Sequence, residues 1–353
     1  MDPGLALAAA LGGHPLSAPR VSVCIPSYNG AALLPACLDA LRAQTFRDFE
    51  ILVVDDHSTD ATPAVVATYP EVRFLRLRRN RRFVGAANTG LHAARGQLLA
   101  LLNNDAVPDP TWLAELVAAL DRHPWAGFAA SRLVLYDDPG RFHSAGDYYG
   151  RDGVPNSRGV WQADTGQYDR EEEVFGACAA AALYRRAMLA DLSGAPAPDA
   201  PLPPVFDPAL TMYCEDVDLN LRARLRGYRG IYVPTARVRH MLSATGGGVL
   251  ASYYCGRNFL YLLAKDLPGP VLLRNAGAIL AAQIGFATEA LRHMREPAAR
   301  ARLRGMIAGL LTWPRLLPAR RRLLGDPAAR PALLAAWIGR TAAPLPEEGD
   351  CDG

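Results

Sequence analysis

The sequence predicts an α/β fold with a doubly wound, mostly parallel sheet, helices on both of its faces, and a helical extension at the C-terminal end. Three observations support this prediction. Short apolar segments of strand length alternate with segments whose apolar residues recur at helical spacing, as in βαβ units. Clusters of polar residues follow several of the predicted strands. After residue 255, helical segments follow one another with no strand between them.

Four strand–helix pairs make up the first part of the chain. Short β-rich runs such as FEILVV end at polar turns, and they predict strands at residues 21–26, 49–54, 72–77 and 97–102. Apolar residues on one helical face predict helices at residues 31–44, 62–69, 85–94 and 111–123. Residues 1–19 lack a basic n-region, so they are predicted to be a flexible leader and not a signal peptide.

The second part of the chain is less regular. Residues 136–173 are predicted to be a long loop with short strands, and residues 174–184 are an Ala-rich apolar run. The Pro-rich residues 193–208 cannot form a regular element. A helix is predicted at residues 215–226 and a strand at residues 230–233. Beyond them, residues 256–340 are predicted to form amphipathic helices that are broken at Pro268, Pro297, Pro314 and Pro327.

The composition excludes several classes of protein. The length of 353 residues favours roughly two domains. With half of its residues apolar and 21% charged, the chain is globular and not largely disordered. A net charge of +3 gives no reason to expect a nucleic-acid partner. Six scattered cysteines without a CxxC pair exclude a zinc ribbon or a disulfide scaffold, and they favour a reducing compartment, the cytoplasm.

Polar clusters follow three of the predicted strands, at one edge of the predicted sheet, where ligands bind in such folds. Asp55-Asp56 follows the second strand, and a carboxylate there could accept a hydrogen bond from the imide N–H of a uracil or thymine ring or from ribose hydroxyls, or could cap the next helix. Asn103-Asn104-Asp105 follows the fourth strand. It could hold a divalent cation together with a substrate diphosphate, or form a polar turn.

Two further motifs come later in the chain. Glu215-Asp216-Val217-Asp218 opens a predicted helix, where the helix dipole alone could explain its acidic residues. The alternative is that one carboxylate is a general base that takes a proton from an attacking hydroxyl. His240 is either a metal or phosphate contact or an ordinary core residue. The glycine-rich signatures of P-loop and dinucleotide-binding proteins are absent from the sequence.

Taken in order, these motifs resemble the inverting glycosyltransferases of family two, which have the GT-A fold. The resemblance covers most of residues 20–265. Its segments are VSVCIPSYNG (21–30), FEILVVDDHSTD (49–60), FVGAANTGLHAARG (83–96), LLALLNNDAVP (98–108), FGACAAAALYRR (175–186), MYCEDVDLNLRAR (212–224) and YYCGRNFLYLL (253–263). The RFHSAGDYYGRDG segment looks most like rhamnosyltransferase-type members of the family.

The resemblance implies a donor site. Pro26, Tyr28 and Asp56 would line the nucleoside pocket, Asn88 would lie near the nucleotide-sugar, and Arg257 would contact the diphosphate. The donor would be a dTDP-, UDP- or GDP-linked sugar. The nucleotide-sugar half of the catalytic domain would span about residues 20–130, and the acceptor half about residues 131–265.

The resemblance also implies a metal and a base. Asp105 would ligate Mg²⁺ or Mn²⁺ with Asn104 beside it, and His240 would be a further metal or diphosphate contact. Asp216 would be the catalytic base, and Glu215 would position the acceptor or the base. Two alternatives remain open: a nucleotidyl- or phosphotransferase with a similar sheet, and a non-catalytic scaffold protein with the same fold.

The basic charge is concentrated near the C-terminal end. Residues 256–340 contain 14 Lys and Arg but four Asp and Glu, a net charge of +10. The basic amphipathic region at residues 266–345, followed by a tail at 346–353, is therefore predicted either to bind an anionic membrane surface or to cap the catalytic domain. The first possibility would suit a lipid-linked acceptor and a peripheral position at the inner face of the cell membrane. Polar residues argue against a membrane-spanning segment: Arg274, Asn275, Gln283 and Glu289.

Overall fold

The computed structural model describes residues 18–241 and 248–345. Most of the predicted leader and the tail at 346–353 therefore lie outside the described residues. The strands of the first part are β1 (Val21–Ser27), β2 (Phe49–Asp55), β3 (Val72–Arg76), β4 (Leu98–Leu102) and β5 (Ala106–Pro108). Its helices are α1 (Leu34–Arg42), α2 (Thr62–Val66), α3 (Arg82–Ala93) and α4 (Trp112–Arg122). All four predicted strand–helix pairs are present.

The second part adds the remaining elements. Its strands are β6 (Ala126–Leu135), β7 (Phe142–Ser144), β8 (Asp147–Tyr149), β9 (Pro155–Ser157), β10 (Glu172–Val174), β11 (Ala181–Arg185), β12 (Arg229–His240) and β13 (Ala342–Ala343). Its helices are α5 (Arg186–Ser193), α6 (Glu215–Leu225), α7 (Gly248–Lys265), α8 (Gly269–Arg292), α9 (Pro297–Leu324) and α10 (Pro331–Trp337).

The main sheet has the strand order β13-β10-β12-β6-β11-β4-β1-β2-β3. Strands β3, β2, β1 and β4 are parallel, and so are β6 and β12. Between these two groups lies β11, which pairs antiparallel with β4 on one side and with β6 on the other. The sheet is therefore mostly parallel, as predicted, and it contains β11 as an antiparallel strand that was not predicted.

Alternate residues of the central strands face two separate cores. Val23 of β1 packs in one core with residues of α1 and α4. Its neighbour Cys24 packs in the other core with residues of α3, α5 and α6. This alternation follows from the two-residue period of a strand, and it confirms that helices cover both faces.

Strand β6 was not predicted. Its sequence AGFAASRLVL places Ser131 and Arg132 in the middle and begins with small residues, so it lacks the apolar run expected of a buried strand. Pairing with both β11 and β12 nevertheless buries most of it. Strand β12 is also longer than the predicted 230–233, because it continues past a bulge to His240.

The prediction that Pro314 breaks a helix is wrong, because α9 continues through both Pro314 and Pro318. Each proline removes one backbone donor and strains the preceding turn. Close packing against α7 holds this helix together. A Cβ built on Gly305 would lie 2.0 Å from the carbonyl oxygen of Tyr253 in α7, so the two backbones are nearly in contact.

One helix in the described part of the chain, α8, is long and apolar enough to cross a membrane by length and composition. It has 24 residues and a mean hydropathy of 1.3 over its most apolar stretch, of which 6% is buried. Such a helix alone is weak evidence of a membrane span. Helix α8 is nevertheless largely apolar and largely uncovered, although it contains the four polar residues noted in the sequence.

Candidate active site

A cavity of about 370 Å³ opens at the carboxyl ends of β1, β2 and β4. Eight of the ten predicted site residues line it: Pro26, Tyr28, Asp56, Asn104, Asp105, Glu215, Asp216 and His240. The parallel register explains why Tyr28 and Asp56 lie close together, because Ser27 at the end of β1 lies opposite Asp55 at the end of β2. Residues that are far apart in the sequence thus share one cavity.

Asp56 lines the cavity and is buried. Its Oδ1 accepts a hydrogen bond of 2.6 Å from the backbone N–H of Arg81. Burial raises the pKa of this carboxyl group, and the N–H donors of Arg81 and Arg82 partly offset the effect. Asp56 does not cap the next helix, because Asp60 accepts the N–H of Thr62 at the start of α2. The carboxylate of Asp56 is thus available to a ligand.

Asp105 and His240 meet where β12 pairs with β5. His240 lies opposite Ala106, and this register brings its Nε2 to 3.1 Å from Oδ1 of Asp105. Although the two atoms are close, Oδ1 of Asp105 is buried without a hydrogen-bond donor. A buried, unsatisfied carboxylate oxygen is costly, and a cation beside it would remove that cost.

The donor set fits a divalent cation. Asp105 offers an oxygen ligand, His240 offers an imidazole nitrogen, and both open into the cavity that a diphosphate could enter. Carboxylate oxygen is the ligand preferred by Mg²⁺ and Mn²⁺, which commonly complete their shells with substrate phosphates. Asn104 lies beside this group, and its Nδ2 donates a hydrogen bond of 3.0 Å to Oγ of Ser27.

His143, which was not predicted, also lines the cavity and contacts His240. The two rings stack at 4.8 Å, and their Nδ1 atoms are 3.0 Å apart, so one of them donates to the other. Burial, and secondarily His240, lower the pKa of His143 to about 3, which keeps its ring neutral. A neutral partner at Nδ1 fixes the orientation and tautomer of the His240 ring.

The Glu215–Asp216 pair lies across the cavity, at the start of α6. Cys214 immediately before it has a left-handed backbone, with φ of 64°, so the chain turns sharply into the helix. Asp216 accepts the N–H of Ala179 at 3.2 Å and that of Val217 at 2.8 Å. Burial raises the pKa of Asp216, and these N–H groups partly offset the rise.

The other two carboxylates of this motif differ in their surroundings. Oε2 of Glu215 is buried without a partner, and burial together with Asp216 raises the pKa of Glu215 well above its usual range. Asp218 points away from the cavity and pairs with Arg222 and Lys265. Burial would raise the pKa of Asp218, but these two cations lower it to about 2. Only part of the acidic helix start therefore belongs to the cavity.

A second residue that was not predicted, Asp147, lies next to Asp216. Asp147, Cys178 and Asp216 each place one oxygen or sulfur atom within 4.8 Å of the other two. Oδ1 of Asp147 accepts hydrogen bonds from Ser144 at 3.0 Å and from Ser157 at 2.8 Å. Burial, and then the Asp216 carboxylate, raise the pKa of Asp147 to about 7.

Two predicted donor contacts lie outside the lining of this cavity. The side-chain amide of Asn88 bonds the backbone of Phe206 in both directions, at 2.8 and 2.9 Å, and so ties α3 to the Pro-rich segment. Arg257 donates to the carbonyl oxygen of Ala209. Arg82, which was not predicted, is the one arginine in the described lining. No short motif around it would have signalled this position.

A mixed α/β sheet with its ligand cavity at the strand ends, lined there by carboxylates, is the architecture of the GT-A glycosyltransferases. Residues 22–193 of the chain match the family model "Glycosyl transferase family 2". These residues are thus similar to glycosyltransferase family 2 domains.

Two curated relatives are named for succinoglycan and O-antigen biosynthesis. The chain is 39% identical over 105 residues to the succinoglycan biosynthesis protein ExoO of Rhizobium meliloti, covering 29% of this chain and 30% of that protein. It is 29% identical over 238 residues to the O-antigen biosynthesis protein RfbC of Myxococcus xanthus, covering 64% of this chain and 18% of that protein. The chain thus spans less than a third of the length of these relatives.

Among solved structures, the chain resembles the mannosyltransferase PcManGT from Pyrobaculum calidifontis, which was solved in complex with GDP-Man and Mn²⁺. The TM-score is 0.51 at 21% sequence identity, and the match covers 92% of this chain and 88% of that one. At this level of identity the likeness supports the fold.

Proposed function

We propose that this protein transfers a sugar from a nucleoside-diphosphate donor to a hydroxyl group of a glycan or lipid-linked acceptor, with inversion at the anomeric carbon. The observation that carries the proposal is that Asp56, Asp105 and Asp216 line one cavity, although they are up to 160 residues apart in sequence. Each supplies a different function that the reaction needs.

The donor would lie along the strand ends. Its nucleoside would contact Pro26, Tyr28 and Asp56, and the carboxylate of Asp56, which lines the cavity, suits an imide N–H or a ribose hydroxyl. This chemistry fits the predicted dTDP-, UDP- or GDP-linked sugars. Arg82 lines the same cavity and supplies positive charge for the diphosphate, a position better placed than that of Arg257. A rhamnosyl donor is our proposal from the RFHSAGDYYGRDG segment alone.

Asp105, with His240 and Asn104 beside it, would hold Mg²⁺ or Mn²⁺. When bound there, the ion would neutralise negative charge that develops on the diphosphate leaving group. The buried and unsatisfied Oδ1 of Asp105 supports this assignment. His143 at Nδ1 and Asn103, whose Nδ2 lies 3.3 Å from Nε2, would together fix the orientation of the His240 ring at the site.

Asp216 would act as the general base. The acceptor oxygen attacks the anomeric carbon from the face opposite the diphosphate, its O–H proton passes to Asp216, and the bond to the diphosphate oxygen breaks. One in-line displacement of this kind inverts the configuration. Two backbone N–H groups hold the Asp216 carboxylate in place, and Glu215 with its unpaired Oε2 would orient the acceptor hydroxyl.

The similarity to proteins of polysaccharide biosynthesis supports a glycan or lipid-linked acceptor. The acceptor would enter from the side of residues 131–265, where Asp147 and Asp216 lie, and the donor from the side of residues 20–130. We place the reaction in the cytoplasm, at the inner face of the membrane when the acceptor is lipid-linked.

The test combines donor binding with turnover. Thermal shifts with UDP-, dTDP- and GDP-sugars, with and without Mn²⁺, identify the donor, and release of the nucleoside diphosphate measures transfer. Asp216→Asn should lose about 10²–10⁴-fold in turnover, the usual contribution of a positioned base, and should keep the donor-induced shift. Asp199→Asn, which neutralises an exposed carboxylate outside the cavity lining, is the matched control. Wild-type turnover in Asp216→Asn would refute the base assignment.

A further inference from the structure

Helix α8 leaves one apolar face uncovered. Leu273, Leu280, Ile284 and Leu291 are between 52 and 80% exposed. At 3.6 residues per turn, these four side chains fall within about 40° of one another around the helix axis. They therefore form a single stripe along the whole helix.

Helix α9 has a similar uncovered face. Ile307, Leu310, Leu311 and Leu317 are between 41 and 72% exposed. The opposite side of α9 packs tightly on α7, where the glycines at 305 and 309 let the two backbones approach. The exposed side chains are thus the outer face of a helix whose inner face is already occupied. Scattered exposed leucines are normal, but two ordered stripes on consecutive helices indicate an interaction surface.

Unpaired arginines accompany these stripes. Arg274 of α8 and Arg304, Arg315, Arg321 and Arg322 of α9 are exposed. Within the described residues, none of these five guanidinium groups forms an ion pair or a hydrogen bond. They account for much of the net positive charge of residues 256–340.

We infer that the uncovered faces of α8 and α9 bind flat on an anionic lipid bilayer, with the leucines and isoleucines in the acyl boundary and the arginines at the head groups. Apolar side chains on one helical face, next to long basic side chains, are typical of helices that lie in a membrane interface. Each arginine near an anionic surface adds a favourable electrostatic contribution. Among possible occupants, the charge favours lipid over a second copy, because a symmetric dimer would bring the two sets of arginines together.

The packing of α8 favours this orientation over a membrane span. Phe286 on its inner side contacts Phe259 of α7, with ring centroids 5.9 Å apart, and the guanidinium of Arg302 lies 4.3 Å from the centre of the Phe286 ring. Ala290 is buried as well. A helix that crossed the bilayer would lose these contacts and would carry Arg274 and Glu289 towards its hydrocarbon core.

The biological purpose of this surface rests on the lipid-linked acceptor in the proposed function, but the binding itself does not. The experiment is co-sedimentation of the full chain with vesicles of phosphatidylcholine and with vesicles of equal parts phosphatidylcholine and phosphatidylglycerol. We expect binding to the mixed vesicles that weakens as salt is added. Leu280→Gln combined with Ile284→Gln should weaken vesicle binding at least about tenfold, because two aliphatic side chains that would insert into the bilayer are lost. Leu333→Gln, an exposed leucine of α10, is the matched control and should bind like wild type.

Four outcomes would overturn the inference. Absence of binding to mixed vesicles at low salt would exclude a lipid partner. Binding that resists alkaline carbonate would indicate a span, and a dimer that the double variant dissociates would indicate a second copy. Arg315→Gln, Arg321→Gln and Arg322→Gln together should abolish the preference for the anionic vesicles, and an unchanged preference would also count against us. The donor-induced thermal shifts of the same variants should match those of wild type. This measurement distinguishes a failure of the proposed function from a failure of membrane binding.

Discussion

Asp147 illustrates, at the scale of single residues, what the sequence does not reveal. The polar clusters at the strand ends could be predicted because parallel strands end at one edge of a sheet. Asp147 and His143 come from the loop region 136–173, where β7 pairs with β6 and where Asp147 forms a β-bridge with Gly176, 29 residues further along the chain. Nothing within a few residues of them predicts these pairings.

The raised pKa of Asp147 makes a prediction about stability. A carboxyl group with a folded pKa of about 7, above its unfolded value, favours the folded state at low pH and opposes it once it ionises. This penalty grows as pH rises from about 4 to 7. Asp147→Asn removes it, so the stability of the variant relative to that of wild type should increase as the pH is raised from 5 to 8. Urea unfolding at both pH values measures the difference.

Ser157→Ala provides the opposite control. It removes a hydroxyl that donates to the Asp147 carboxylate, so the loss of stability on raising the pH should become larger than in wild type. Equal pH dependence in wild type and Asp147→Asn would show that Asp147 does not titrate in this range.

Asp105 makes a prediction about metal. Asp105→Asn keeps the size of the side chain but removes the negative charge, so Mn²⁺ should no longer increase the thermal shift caused by the donor. The metal-independent part of the shift should remain, because Asp56 and Tyr28 are unchanged. Electron paramagnetic resonance of free Mn²⁺ measures binding without turnover. If Asp105→Asn bound Mn²⁺ as tightly as wild type, the ion would belong to other residues.

At the scale of elements, packing explains the differences between prediction and structure. The four strand–helix pairs have clear periodicity and were predicted. The central strand β6 was missed, because its small and polar residues gain their burial from β11 and β12 on either side. The unbroken α9 was missed for a related reason, since contact with α7 outweighs the helix-breaking tendency of two prolines.

The contact between α7 and α9 can be tested with alanine. Gly305→Ala would place a methyl group 2.0 Å from the carbonyl oxygen of Tyr253, so it should destabilise the protein by about 1–3 kcal/mol. Gly277→Ala is the matched control, because it lies in α8 with open space around it and should be neutral or stabilising by up to about 1 kcal/mol. Thermal unfolding of both variants measures the contrast. Equal effects would show that the two helices are not in close contact.

At the scale of the whole molecule, the order of the motifs along the chain predicted the fold. Most of the site residues that it predicted line one cavity. The order of the motifs is informative because each motif follows a particular strand, and the strands come in a fixed order along the chain. The donor sugar is harder to predict, since it depends on the shape of a cavity that is lined by side chains from the loop region and the start of α6.

The reversed direction of β11 has a consequence for how the protein acquires its activity. A strand that runs against its neighbours starts at the edge where they finish, so β11 delivers Ala179, just ahead of it, to Asp216. A nascent chain that has left the ribosome only as far as residue 130 would hold Asp56 and Asp105 but lack both Ala179 and Asp216. In the proposed mechanism, the residues that contact the donor and the metal are therefore synthesised before the general base, and transfer has to wait for the later half of the polypeptide.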